Sequence, residues 1–302
     1  MSGDSAVVRP PTIGGPETMI QLDERVWVIP DLHWTPHVPN VGIIVGDHAA
    51  LIVDSGLGAP NADRVFAALR SVTDVPLVYL TQTHFHPEHG FGSQRLSDRT
   101  TLIYNRTQYE ELLEKGEFLL ELFRGFGEHM TEALVEVEFV EPDISYRGSV
   151  TLNLGGVSVN LQERGSGHTR GDQTVHLPDS GILFTGDLVE DRFFPIISDA
   201  DASGVVWIQT LGGMERLRPV TVVPGHGALG GFEVLSSYRS NMKDWFVEAR
   251  ALKSNGLGPD DVVSVLSPKV LGGREDWGNQ EWIEPMIRQF YEDERANDFD
   301  SV

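Results

Sequence analysis

No cysteine occurs among the 302 residues of this chain. Disulfides, thiolate metal ligands and a cysteine nucleophile are therefore excluded. Any bound metal must be held by nitrogen and oxygen, a donor set that suits zinc first, with iron or manganese next. Positive charge is scarce: 23 lysines and arginines stand against 45 aspartates and glutamates, for a formal net charge of -22. A field of that sign repels a phosphate backbone, so nucleic acid is not expected as a partner. Long apolar runs are missing too. None approaches the roughly 18 residues needed to cross a bilayer. The opening Met1-Ser2-Gly3-Asp4 lacks a basic stretch followed by an apolar core, so no membrane partner is expected and the protein reads as cytoplasmic.

What is present is a hydrophobic fraction of 40%, enough at this length for one large core or two modest ones, with no linker-like stretch to divide it. Residues 1–18 gather Pro10, Pro11 and Pro16 beside Gly14 and Gly15, which predicts a flexible or loosely draped tail. Residues 19–230 read as one domain. Short β-rich runs come first, at 19–22, 25–29, 41–45 and 51–53, followed by a helix from about Ala62 with Asn61 as its cap and Val65, Phe66, Leu69 and Val72 on one face. Strands at 76–80 and 101–104 precede a helical insert over about 106–136. A second β-rich half has runs at 137–140, 150–154, 157–161, 174–177 and 182–184, then a helix from Gly204 capped by Ser203 and a strand at 220–223. Residues 231–302 read as a helical extension packed on the same domain, with helix starts at Ser236 or Ser237 and at Pro259 and a last piece at 285–293. Three roles are open to these helices: packing outside the core, covering the site, or forming a homodimer contact.

The densest chemistry lies in Thr83-His84-Phe85-His86-Pro87-Glu88-His89-Gly90, directly after the apolar run at 76–80. Residues two apart on an extended segment point the same way, so His84 and His86 can aim ring nitrogens at one point about 2 Å away. The turn at Pro87 lets Glu88 and His89 swing toward a neighbouring point. Two adjacent metal ions are the natural product of that spacing. Three later segments each put a ligand type on a glycine-rich corner after a short apolar run: Gly167-His168-Thr169, Thr185-Gly186-Asp187 and Pro224-Gly225-His226-Gly227. Glycine beside a ligand permits the tight turns and close backbone approach that a crowded site needs. His33, His37, His48, His129 and His176 lack such a motif and read as loop histidines rather than ligands.

In that order, His84-x-His86-x-Glu88-His89, His168, Asp187 and His226 resemble the metallo-β-lactamase superfamily over roughly residues 26–227. The resemblance implies an α+β fold, a four-layer αβ/βα sandwich of two mixed β-sheets with helices on the outer faces. It also implies two metal ions, zinc by preference: one held by His84, His86 and His168, the other by Glu88, His89 and His226, with Asp187 bridging both. Asp54 matches a supporting aspartate that would accept the spare N–H of a ligand imidazole. Glu88 departs from the family pattern, which usually has aspartate there.

The implied chemistry is hydrolysis by a hydroxide bridging the two metals, with Glu88 and Asp187 as the catalytic carboxylates. The substrate would be a small-molecule ester, lactone, thioester or amide. Readings kept open are an iron-dependent oxygenase on the same scaffold, a β-lactamase-like hydrolase, and a non-catalytic ligand-binding protein. The family's true β-lactamases typically carry cysteine or serine where this chain has Asp187, which leans the reading toward the lactonase and thioesterase-like branches. Pocket walls are expected from Trp34 and His37 in the loop at 31–37, from Phe123 in the insert, and from Phe193 and Phe194.

Overall fold

The computed structural model describes residues 9–31, 33–197, 202–295 and Phe299. Strands β1 (Ile20–Asp23), β2 (Val26–Ile29), β3 (Val41–Val45) and β4 (Ala49–Val53) form an antiparallel meander. Helix α1 (Gly58–Val72) then crosses to β5 (Leu77–Thr81), parallel to β4. Two short helices, α2 (Pro87–Gly90) and α3 (Ser93–Leu96), lead to β6 (Thr101–Asn105), and the insert helices α4 (Arg106–Arg124) and α5 (Glu128–Ala133) lead to β7 (Ile144–Tyr146). These strands make one seven-stranded mixed sheet in chain order.

The second sheet runs β12-β11-β10-β9-β8, from β8 (Ser149–Asn153), β9 (Ser158–Gly165), β10 (Asp172–Leu177), β11 (Ile182–Gly186) and β12 (Thr221–Pro224). Only the β11–β12 pairing is parallel within it. Helix α6 (Gly204–Glu215) joins those two strands, and α7 (Phe232–Ser254), α8 (Pro259–Leu271) and α9 (Ile283–Glu292) follow.

Period-two alternation in the central strands builds three stacked cores. In β4, Ala50 and Ile52 face α1 and meet Ala62, Val65 and Leu69. The intervening Ala49, Leu51 and Val53 face the other sheet and meet Val159, Leu161, Val175 and Phe184. The outer face of the second sheet, with Leu183 and Val222, is covered by α6 to α9 through Trp207, Met242, Phe246, Leu266 and Phe290. Helix, sheet, sheet, helix is the four-layer sandwich expected. Two strands buried on both faces explain why β4 and β11 read as unbroken apolar runs.

Several boundaries differ from the sequence reading. Residues 137–140 form no strand; Val137 and Phe139 pack under the insert, and Val140 packs on the α1 side. The strand of that region is β7, three residues long and partly exposed, too short to show alternation. Helix α1 starts at Gly58, four residues before the expected Ala62. Asn61 serves another purpose: its Oδ1 accepts from Ile13 N at 2.8 Å and its Nδ2 donates to Pro11 O at 2.9 Å. Ile13 is 1% exposed, so the loose tail expected over 1–18 is corrected from Pro11 onward; residues 1–8 lie outside the described ones. Helix α7 begins at Phe232, ahead of Ser236 and Ser237. Ser203 does cap α6, accepting from Val206 N, and α8 does begin at Pro259.

Candidate metal centre

Parallel pairing fixes where the site forms. The parallel pairs β4/β5 and β11/β12 bring carboxyl ends of both sheets to one edge of the sandwich, where side chains just past a strand are presented. Asp54 follows β4, the segment carrying His84 and His86 follows β5, Asp187 follows β11 and His226 follows β12, while His168 lies in the turn from β9 to β10. Glu88 and His89 sit on α2, started by Pro87.

The fold gathers all seven proposed ligands into two groups. His84, His86, His168 and Asp187 form one, and Glu88, His89, Asp187 and His226 the other, with the ligand atoms of each group within 4.8 Å of one another. Asp187 belongs to both. Its approach depends on Gly225, where a Cβ would stand 1.9 Å from Asp187 Oδ1.

Hydrogen bonds fix which ring nitrogens face inward. Asp54, held at φ 69° by the turn after β4, accepts from Thr83 N at 2.7 Å and Thr83 Oγ1 at 3.0 Å and lies 2.9 Å from His89 Nδ1. A carboxylate accepts, so Nδ1 of His89 carries the proton and Nε2 presents a lone pair. His226 Nδ1 donates to Val38 O at 3.0 Å, which leaves its Nε2 bare as well. Those two bare nitrogens face each other at 3.4 Å, and His89 Nε2 is 3.2 Å from Asp187 Oδ1. Lone pairs aimed at one another and at a carboxylate repel unless a cation lies between them.

The buried electrostatics agree. Burial pushes His84 and His86 well below the ordinary imidazole range, keeping them neutral and able to ligate. Burial also opposes charge on His89, but the Asp187 and Asp54 carboxylates outweigh it and raise that imidazole well above its usual value, so where no metal ion lies between Nε2 and Asp187 a proton on Nε2 does. For Asp187, burial is outweighed by His89, His226 and His84, which hold its carboxyl well below the usual carboxylate range. His84 Nε2, Glu88 Oε2 and Asp187 Oδ1 are buried without a hydrogen bond. Each is a donor atom for zinc, iron or manganese, so the residues present fit a pair of such ions.

Over residues 34–226 the chain matches the pattern described as the Metallo-beta-lactamase superfamily. The chain belongs to the metallo-β-lactamase superfamily. Superfamily relatives include the linear primary-alkylsulfatase of a Pseudomonas strain, 22% identical over 83% of this chain and 54% of the relative, so the chain spans about half that protein. They also include the type 2 metallo-β-lactamase of Bacteroides fragilis, 25% identical over 72% of this chain and 82% of the relative. A third is the acyl-coenzyme A thioesterase MBLAC2 of Bos taurus, 23% identical over 72% and 84%. Among solved structures, the Pseudomonas sec-alkylsulfatase Pisa1 superposes with a TM-score of 0.68 at 15% identity, over 90% of this chain and 49% of that one. The metallo-β-lactamase of Pontibacter korlensis gives 0.58 at 20%, over 74% and 98%. At this level the chain is a superfamily member with a candidate metal site.

Several residues that support this superfamily site carry no motif. Asp172 Oδ2 accepts from His168 N at 2.7 Å and Thr169 N at 2.9 Å, shaping the turn that presents His168. Glu111 of α4, fully buried, accepts from Gly171 N at 2.7 Å and pairs with Lys115 at 3.0 Å. Asn40 Nδ2 donates to Pro224 O and Gly227 O, both at 2.9 Å, clamping the loop around His226. Glu190, buried and facing Tyr238 Oη at 3.5 Å, has its carboxyl pushed well up by burial and by Asp187.

The expected pocket residues divide. Phe193 lies beside the superfamily site, its ring centroid 6.0 Å from that of His226. The His37 and Phe123 ring centroids are 4.9 Å apart, and burial lowers the His37 pKa while the charge of Glu88 opposes that lowering. Trp34 is 36% exposed at the rim, with the Arg192 guanidinium 5.1 Å from its ring centroid. Phe194 is a correction: it is fully buried between Trp245 and Trp277 and builds core, because the next residue along an extended segment faces the opposite way from Phe193.

Proposed function

We propose that this chain is a metal-dependent hydrolase holding two ions, zinc by preference, and cleaving a small ester, lactone, thioester or amide. The observation that carries the reading is the Asp187 carboxylate, shared by two groups whose bare imidazole nitrogens converge on it. Divalent ions held there would supply a water acidified toward neutrality and polarisation of the bond under attack. His84, His86 and His168 would hold one ion and Glu88, His89 and His226 the other. Asp54, through His89, and the Val38 carbonyl, through His226, keep two of those rings in the ligating tautomer. Glu88 and Asp187 would orient the attacking water and take its proton. Phe193 and the His37–Phe123 contact would exclude bulk water from the mouth.

A second reading, cleavage of a sulfate ester, is favoured by one observation. The likeness to the sec-alkylsulfatase covers 90% of this chain, more than residues 1–230 make up, so it runs into the helices beyond them, whereas the β-lactamase likenesses cover 74% and 78%. Metal analysis of the purified protein, with a chromogenic panel of lactones, thioesters, carboxylic esters, β-lactams and alkyl sulfates on wild type, His86→Ala and Asp187→Ala, tests both. Two zinc ions per chain and one activity lost in both variants is the expected result. A single iron with oxygen consumption would replace the hydrolase by an oxygenase, and a metal-free chain that still binds ligands would make it a binding protein.

A further inference from the structure

The C-terminal extension does more than cover the second sheet. Between α8 and α9 its chain returns to the metal-centre edge, where Gly278 N donates to Arg192 O at 2.9 Å and Phe194 N donates to Gly278 O at 3.1 Å. Phe193 and Gly278 thereby form a parallel bridge. Around that bridge lies a cavity of about 220 Å³ lined by Trp34, Arg192, Phe193, Asp276, Trp277 and Gly278. It adjoins the His226 side of the metal centre. Phe193 is shared by both, Asp191 N donates to His226 O at 3.0 Å, and Trp34 Nε1 stands beside Gly227, 2.9 Å from where a side chain there would begin.

Two features mark this cavity as built. Trp34, Arg192 and Asn279 all hold left-handed backbone, at φ 48°, 62° and 61°. Bulky residues persist there only where surroundings over-determine them, and such strain collects at ligand sites. Gly278 is also required: a Cβ would lie 2.4 Å from Phe193 Cδ1, so a side chain would displace that ring. The walls are two indoles and a phenyl ring. Among the described lining residues, the only charges are the Arg192 guanidinium, laid on Trp34 and ion-paired with Asp276, and that aspartate itself. The volume falls below the roughly 300–1,000 Å³ of drug-sized sites.

We propose that residues 276–278, with Trp34, Arg192 and Phe193, form a specificity subsite for a small, flat, uncharged substituent of the substrate, a phenyl- or benzyl-sized group beside the bond that is cleaved. The inference rests on the hydrolase reading for its meaning but not for its detection. Paired benzyl and methyl esters, and benzyl alcohol followed by ligand-observed NMR, are measured on wild type, Trp277→Ala and Gly278→Ala as purified, with melting curves to establish folding.

Wild type should prefer the benzyl ester by about tenfold or more in kcat/KM. Both variants should lose that preference, with Trp277→Ala keeping the methyl-ester rate, and both should lose the benzyl alcohol signal. Gly278→Ala guards against a Trp277→Ala chain that fails to fold. Benzyl alcohol that binds wild type and not the variants, with no ester cleaved, would keep the subsite and sink the carboxylic-ester reading. Equal rates on the two esters, a preference that survives in folded variants, absence of benzyl alcohol binding, or preference for a benzyl group carrying carboxylate or sulfate would overturn the subsite as proposed.

Discussion

Asp187 can serve both groups only because Gly225 has no side chain, given the 1.9 Å separation a Cβ would have from Asp187 Oδ1. Gly225→Ala must push that carboxylate away from the line between His89 and His226. Bound metal should fall below the wild-type stoichiometry and turnover should drop by about 10- to 100-fold, with circular dichroism unchanged. Wild-type metal content in the folded variant would take Asp187 out of its shared position. Asp54→Asn acts from outside the site: Thr83 N and His89 Nδ1 donate to different oxygens of Asp54, and the amide keeps only one acceptor, so one of the two N–H groups faces an NH2 instead. Metal affinity should weaken about 10- to 100-fold, read by competition with a chelating dye. The ligands were legible in the sequence because their signal is local: alternation puts His84 and His86 on one side, and glycines flank His168, Asp187 and His226. Asn40 and Asp172 were not. Asn40 reaches a carbonyl 184 residues away, and neither residue carries a spacing that distinguishes it from any turn-forming side chain.

At the scale of elements, the insert helix α4 acts as a strut. Asn105 caps it by accepting from Gln108 N at 2.8 Å and also donates to Gly171 O at 2.8 Å, and Glu111 two turns on accepts from Gly171 N. The turn carrying His168 is thus fixed by a helix outside both sheets. Glu111→Ala would leave the buried Gly171 N–H without an acceptor, at a cost of about 1–3 kcal/mol, and would free the turn. The melting temperature should fall, and loss of metal should be concentrated in the His84/His86/His168 group, so that a first ion leaves under mild chelation while a second remains. Even loss from both groups would show that α4 supports the fold without positioning His168. The insert was legible as helix from its apolar spacing, but this task was not, since Glu111 reads as one more charge on a helix rich in glutamate. Apolar content likewise misled at 137–140, where Val137 and Phe139 fill the space beneath the insert rather than a strand.

For the whole molecule, the order of strands followed by a helix, twice over, and the resemblance together gave the layers. The docking of the early segment and of the α8–α9 connection could not be read, because the backbone groups of Pro11, Ile13 and Gly278 bond to partners distant in sequence. The same scale decides what metal removal does. Emptying the site leaves carboxylates and imidazoles buried together at the edge that joins the two sheets, in a chain of net charge -22. An ion that binds only the folded chain stabilises it by about 2.7 kcal/mol at a free concentration 100 times its Kd. Treatment with a chelator should therefore lower the melting temperature, and added zinc should restore it. Magnesium should not, because it prefers an octahedral shell of oxygen and water to imidazole nitrogen. The shift should be smaller in Asp187→Ala, which removes a donor from both groups at once. If the chelator leaves the wild-type melting curve in place while metal analysis confirms that the ions have gone, the two groups contribute nothing to holding the sheets together, and the stability of the sandwich rests on its apolar cores alone.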